Sequence, residues 1–199
     1  MANILNPHPN INIVELLNGA NALDVDQNNW GTLDFTTGRV DYTDDVHPGI
    51  VTEQNTPREI IGTAGLASCT GVVILTQTRA VVAHYSTGFV GDDFVQYLVN
   101  NRAQLRNGRA WIMHCYDEIP VNPGADTDDD DLGRQLYATL RDDLRMSLEN
   151  IVVLKYKPPQ DPIPPNDPWG NQGEGSIMVD GRNSPAQMAT VYAQGYQQL

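Results

Sequence analysis

The sequence is poor in three things, and each shortage removes a class of function. It has two cysteines, Cys69 and Cys115, enough for one bridge at most, whereas small secreted scaffolds are stapled by several. Both are expected to be thiols. It has 12 Lys and Arg against 25 Asp and Glu, a formal charge of -13. Such a surface repels phosphate backbones and anionic headgroups, so neither nucleic acid nor a membrane is an expected partner. No apolar run approaches the ~18 residues of a membrane helix, and Met1 to Val14 shows no basic cluster followed by an apolar stretch. The expectation is a cytoplasmic protein, or an effector delivered without a classical leader.

What remains is globular. Hydrophobic residues make up 40% and charged residues 19% of 199, a balance that supports a packed core and one domain. Residues 1–56, rich in Asn, Asp, Gly and Pro, read as an N-terminal elaboration, 57–156 as a catalytic core, 157–175 as a Pro/Gly-rich connector, and 176–199 as a C-terminal strand and helix.

Local patterns give the fold class. Ile60-Ile61, Val72 to Leu75 and Ala80 to Ala83 are apolar on consecutive positions, as in strands covered on both faces. Leu33, Phe35 and Val40 predict a hairpin around Gly38. Asp92 and Asp93 offer an N-cap to a helix over 92–106 that Asn107-Gly108 stops. Further strands are expected at Ala110 to Cys115, Ile151 to Tyr156 and Ser176 to Val179. Helices are expected along Leu132, Leu136, Leu140, Leu144 and Leu148, and again from near Pro185. The whole is α/β (α+β), a central, mostly antiparallel sheet layered with helices.

A chemical pair emerges from the hairpin geometry. If the apolar runs flanking Thr76 to Thr78 pair with each other, the point midway between Cys69 and His84 falls between Thr76 and Gln77, inside the turn. The two residues then face each other with Cβ atoms roughly 4.5–5.5 Å apart. A slip of one residue would send His84 to the opposite face. An imidazole beside a thiol accepts its proton, holds the thiolate, and later protonates a leaving amine. Gly65, Ala67, Ser68 and Gly71 are small enough to let backbone N–H groups approach a substrate carbonyl and stabilise an oxyanion.

The stretch Thr63-Ala64-Gly65-Leu66-Ala67-Ser68-Cys69-Thr70-Gly71-Val72 resembles the nucleophile motif of the bacterial chemoreceptor glutamine deamidase CheD. It is similar also to the Leu-Ser-Gly-Cys motif of the cytotoxic necrotizing factor toxins, which deamidate a glutamine on a host protein. In these families a threonine six positions before the cysteine and a histidine on the following strand complete the site. Here Thr63 lies six before Cys69 and His84 fifteen after it. The resemblance implies a deamidase-like fold with Cys69 as nucleophile, His84 as base and Thr63 in support, and a protein substrate bearing a reactive glutamine. Ala67 stands where CheD has glycine and Tyr85 where an asparagine is expected, so substrate identity does not carry over.

Other constellations carry less. The acidic run Asp126 to Asp131 has Asp131 where a calcium loop needs glycine and Tyr137 where it needs glutamate. His114 and Cys115 alternate faces of one strand and make poor co-ligands, although His114 could approach the Cys69–His84 pocket. Gly170, Gly173 and Gly175 lack the lysine and helix of a phosphate cradle. No metal and no cofactor are expected. The alternative to an enzyme is a binding or regulatory domain that keeps the fold and holds a partner with its loops.

Overall fold

The computed structural model describes residues 4–5, 11–47, 49–54, 56–67, 69–86, 90–115, 132–156, 175–184, 186–194 and 196–197. In chain order the elements are β1 (Ile4–Leu5), α1 (Ile13–Leu17), β2 (Ala22–Asp24), β3 (Asn29–Asp34), β4 (Val40–Tyr42), β5 (Val51–Glu53), β6 (Ile60–Leu66), β7 (Thr70–Leu75) and β8 (Arg79–Tyr85). There follow α2 (Asp92–Asn100), α3 (Arg102–Leu105), β9 (Arg109–Cys115), α4 (Leu132–Ala138), β10 (Ile151–Tyr156), β11 (Gly175–Asp180), β12 (Thr190–Gln194) and β13 (Tyr196–Gln197). The mixed α+β character and the antiparallel pairing agree with expectation; the single central sheet does not. Five strands in the order β1-β12-β11-β6-β2 form one sheet, and eight in the order β13-β10-β9-β7-β8-β3-β4-β5 form another.

The two sheets divide the chain's apolar residues between distinct cores. Val73, Leu75, Ala80 and Val82 of the β7–β8 hairpin pack with Ile61, Leu66, Trp111, Met113 and Ile177 between the sheets. The alternate residues Val72, Ile74, Val81 and Ala83 pack on the other face with Phe94, Leu98, Leu136 and Leu140 from the helices. A strand buried on both faces has no polar side to show, which explains the unbroken apolar runs. Beyond the five-stranded sheet, Ile13 and Leu17 of α1 cover Ala22, Ile60 and Met178.

The hairpin expected around Gly38 forms between β3 and β4, with Gly38 at φ +70 and its N–H donating to the Asp34 carbonyl. Strands from within residues 1–56 join both sheets, β3 beside β8 and β2 beside β6.

Three expectations about helices need correction. The segment 92–106 is two helices, because the Asn101 backbone N–H and side-chain Nδ2 both take the Tyr97 carbonyl and end the first. Its N-cap is Gly91, and Asp92 and Asp93 occupy the first turn, where carboxylates meet the positive end of the dipole. The leucine helix continues past Ala138 as a π-turn over Thr139–Asp143 and stops where Arg145 turns to φ 55. Leu148 therefore falls outside it, exposed in a short 3-10 turn. In place of a helix after Pro185, Thr190–Gln194 is a strand, paired to β11 with Val191 and Ala193 buried. Its alternation has period two, and the open flank of β11 receives it. The acidic run 126–131 and the connector 157–174 lie outside the described residues.

Candidate functional site

The β7–β8 hairpin closes one step later than the sequence suggested. Thr76 N–H donates to the Arg79 carbonyl and its Oγ1 accepts from the Arg79 N–H, so the turn is Gln77-Thr78. The register is Gly71 opposite His84 and Thr70 opposite Tyr85. Direct opposition of Cys69 and His84 is thereby overturned, because moving the turn by one residue moves every partner by two. A shift of two preserves the face. Cys69 belongs to the core between the sheets, the side onto which His84 also projects, one diagonal step away along the ladder. Diagonal neighbours in a regular sheet are roughly 7–8 Å apart.

Gly71 opposite His84 serves this arrangement. A Cβ there would stand 3.0 Å from Leu66 Cδ1 and 3.5 Å from Thr63 Cγ2, so its absence lets the second sheet descend onto the imidazole. Thr63 arrives from β6 in that second sheet, and its Oγ1 lies 2.8 Å from His84 Nδ1 in a fully buried contact. The Thr63 and His84 sites read from the sequence are therefore joined by a hydrogen bond between sheets.

Beyond Thr63 the strand is irregular. The pairing of β6 with β11 runs Ile177 to Thr63 and then Gly175 to Leu66, so Ala64 and Gly65 oppose Ser176 alone. This bulge has Gly65 at φ +72, a left-handed conformation glycine adopts without penalty. The Ala67 N–H folds back to the Gly65 carbonyl at 2.7 Å. The bulge thus leads directly into the segment that carries Cys69; Ser68 itself lies outside the described residues.

Cys69 is a buried thiol. Its carbonyl accepts a 2.6 Å hydrogen bond from the hydroxyl of Tyr156, itself buried at the end of β10. On the next residue Thr70 Oγ1 meets His114 Nδ1 at 2.8 Å. Thr70 and His114 are cross-strand partners, and strand alternation puts them on the helix-covered face, so His114 does not approach the thiol from the sandwich side. The Cys115 side chain, and with it the expected lack of a Cys69–Cys115 bridge, lies outside the described residues.

Electrostatics favour a neutral imidazole. Burial lowers the His84 pKa, and the Val25 carbonyl and the Asp26 carboxylate pull it the other way. Nε2 is buried, with no hydrogen-bond partner of ordinary length among the described residues. Nearby, the Asp24 carboxyl is pushed up to about 6 by burial of its acid group and by Asp26, against the Ala64 N–H that bonds it. The residue as a whole remains exposed, so its acid group is crowded without being sealed from solvent.

Sequence reasoning missed Tyr156 and the Asp24–Asp26 pair. Tyr156 reads as one more apolar residue of a core strand, and nothing local marks its hydroxyl for a carbonyl far away in the chain. Asp24 and Asp26 sit in a segment read as an elaboration, and only strand order brings Asp26 near His84. Among the described residues no cluster of His, Cys, Asp and Glu could hold a metal, and no helix is long and apolar enough to cross a membrane. The sequence matches no protein-family model and no curated protein.

Proposed function

We propose that the protein is a cysteine-dependent amidohydrolase that deamidates glutamine side chains of a protein substrate. The observation that carries this reading is the His84 ring. Thr63 holds it at Nδ1, burial favours its neutral form, and Nε2, on the face that Cys69 shares, has no hydrogen-bond partner among the described residues. With Nδ1–H donating to Thr63 Oγ1, Nε2 presents the lone pair a general base needs.

The chemistry then runs in two halves. His84 Nε2 takes the Cys69 proton and the thiolate attacks the amide carbon, forming a C–S bond and a tetrahedral oxyanion. His84 returns the proton to nitrogen, the C–N bond breaks, and ammonia leaves a thioester. Water, deprotonated by the same imidazole, attacks the thioester carbon; the C–S bond breaks and the thiol is restored beside a glutamate. The bulge at Gly65, with small residues around Cys69, supports a role for backbone N–H groups at the oxyanion. The Tyr156 hydroxyl on the Cys69 carbonyl supports a fixed nucleophile.

The test measures ammonia release together with a gain of about 1 Da on a glutamine-containing protein, comparing wild type with Cys69→Ser; one hydrolysed amide exchanges NH2 for OH and makes that increment specific. Release and mass gain in wild type alone support deamidation. No activity above the mutant's across a broad panel, with a thiol that reacts as slowly as an ordinary buried cysteine, returns the fold to a binding role.

A further inference from the structure

Each partner in the Thr63–His84 bond sits beside an irregularity in the backbone. Next to Thr63 it is the bulge at Ala64 and Gly65. Next to His84 it is Asn28. Asn29 stands directly opposite His84 in the pairing of β3 with β8, and the Asn28 N–H donates to the His84 carbonyl at 2.6 Å. Two residues thus face one, the pattern of a bulge, and Asn28 takes the left-handed conformation of its first position, with φ 64. The segment leading to it is tied at its other end to β6. The Val25 N–H donates at 2.8 Å to the carbonyl of Gly62, the residue before Thr63. Val25 to Asn28 is therefore a strap from the neighbour of Thr63 in one sheet to His84 in the other.

A left-handed backbone needs no more than glycine, and asparagine adopts it at small cost. What asparagine adds is a side chain. Asn28 Oδ1 accepts the Ser86 N–H at 3.1 Å and the Ser86 hydroxyl at 2.8 Å. The regular pairing of β3 with β8 ends at Asn29 and His84, so Oδ1 acts as the carbonyl of one further rung. Asn28 thereby grips β8 on both sides of Tyr85, at His84 through its backbone and at Ser86 through its side chain. The grip matters because strand ends fray where rungs run out, and a hydrogen bond holds only within a few tenths of an ångström of its best length. Across the ladder on one side Gly71 has no side chain to brace the imidazole. On the other, buried Asn29 is held away by its own bonds from Nδ2 to the Gln27 carbonyl and Asp45.

We infer that Asn28 is a positioning residue for His84. It closes the strap from Gly62 onto the end of β8, and so keeps the imidazole at hydrogen-bonding distance from Thr63. Its effect on turnover rests on the deamidase reading, whereas its effect on the ring is measurable without substrate.

The experiment compares the full chain with Asn28→Gly, which suits the backbone and removes Oδ1, and Asn28→Asp, which keeps an acceptor in the same place. Imidazole nitrogens are followed by NMR at about pH 8, where a ring held below its ordinary value of about 6.5 is neutral. The chain has four histidines, and the signals lost in His84→Gln are those of His84. Wild type should show the Nδ1–H tautomer with its ring proton protected from exchange. Asn28→Gly should shift or broaden these signals and Asn28→Asp should restore them. In ammonia release from a glutamine-containing protein, Asn28→Gly should lower kcat about tenfold with KM nearly unchanged, and Asn28→Asp should recover it. Unmoved His84 signals in Asn28→Gly overturn the positioning role, whatever happens to Tm or rate, since a loss of that kind belongs to the fold in general. Signals displaced equally in Asn28→Gly and Asn28→Asp also overturn it, because the acceptor then does not matter. Ammonia released by wild type and Asn28→Gly alike, with unmoved signals, removes the positioning role and leaves the deamidase. Signals displaced in Asn28→Gly and restored in Asn28→Asp, with no ammonia from any protein, keep the positioning role and remove the deamidase.

Discussion

Thr63 and His84 belong to different sheets, and the 2.8 Å contact between Thr63 Oγ1 and His84 Nδ1 joins them at the end of the sandwich where Cys69 sits. The geometry of the imidazole therefore depends on how the two sheets pack, and the sheets in turn lose a buried hydrogen bond if either residue changes. Thr63→Val keeps the shape and removes the hydroxyl. It is expected to lower kcat roughly 10- to 100-fold, the usual effect of losing the group that orients a functional histidine. It should also cost about 1–3 kcal/mol for a buried ring nitrogen left unpaired. Thr63→Ser should restore most of the rate, and denaturant melts with steady-state kinetics on the three proteins check both effects.

On the proposed mechanism Cys69→Ser and His84→Ala are each expected to reduce turnover by at least ~10³-fold, because a nucleophile and its base act as one unit and removing either disables both. The double variant should be no worse than the poorer single one. Single-turnover ammonia release on all three, with circular dichroism to show that the fold persists, measures this.

Gly71→Val places a branched side chain where even a Cβ stands 3.0 Å from Leu66 Cδ1. Overpacking of this kind costs roughly 1–3 kcal/mol, and here the strain pushes the two sheets apart directly above His84. A lowered Tm together with a rate loss larger than that of Thr63→Val is the expected outcome. Unchanged kinetics in a destabilised protein would detach Gly71 from the site.

Tyr156→Phe leaves the Cys69 carbonyl without its 2.6 Å donor. On the proposed mechanism the expected consequence is a lower kcat with KM unchanged, since the buried hydroxyl holds the backbone of Cys69. The stability loss should be about 1–3 kcal/mol for an acceptor stranded in the core.

The pH dependence follows from opposite shifts. His84 is held below its ordinary value of about 6.5 by burial. Folding therefore favours the neutral ring: the stability this contributes is present above the ordinary value and is lost as pH falls through the folded one. Asp24, raised to about 6, has the reverse sign: its contribution is present below the ordinary carboxylate range and is lost as pH rises through about 6. In an NMR titration the His84 ring should protonate below 6.5, and Asp26→Asn should move it lower still by removing the carboxylate that opposes the shift. A ring that titrates at or above 6.5 contradicts the electrostatic account.

The sequence by itself determined the elements whose patterns are local and strong. Unbroken apolar runs named β7 and β8 and required cover on both faces, and the spacing of Thr63, Cys69 and His84 singled out residues of which the structure joins two by a hydrogen bond and leaves the third on the same face. The C-terminal segment was misread because Val191 and Ala193 alternate weakly and only the open flank of β11 decides that they form a strand. The hairpin register turned on whether the loop is Thr76-Gln77 or Gln77-Thr78, a choice that the Thr76–Arg79 hydrogen bonds settle. The division into two sheets, the approach of Thr63 to His84, the reach of Tyr156 to Cys69 and the approach of Asp26 to His84 belong to tertiary structure alone. Each joins residues distant along the chain, and such contacts are set by the packing of one face on another, which no local pattern of side chains encodes.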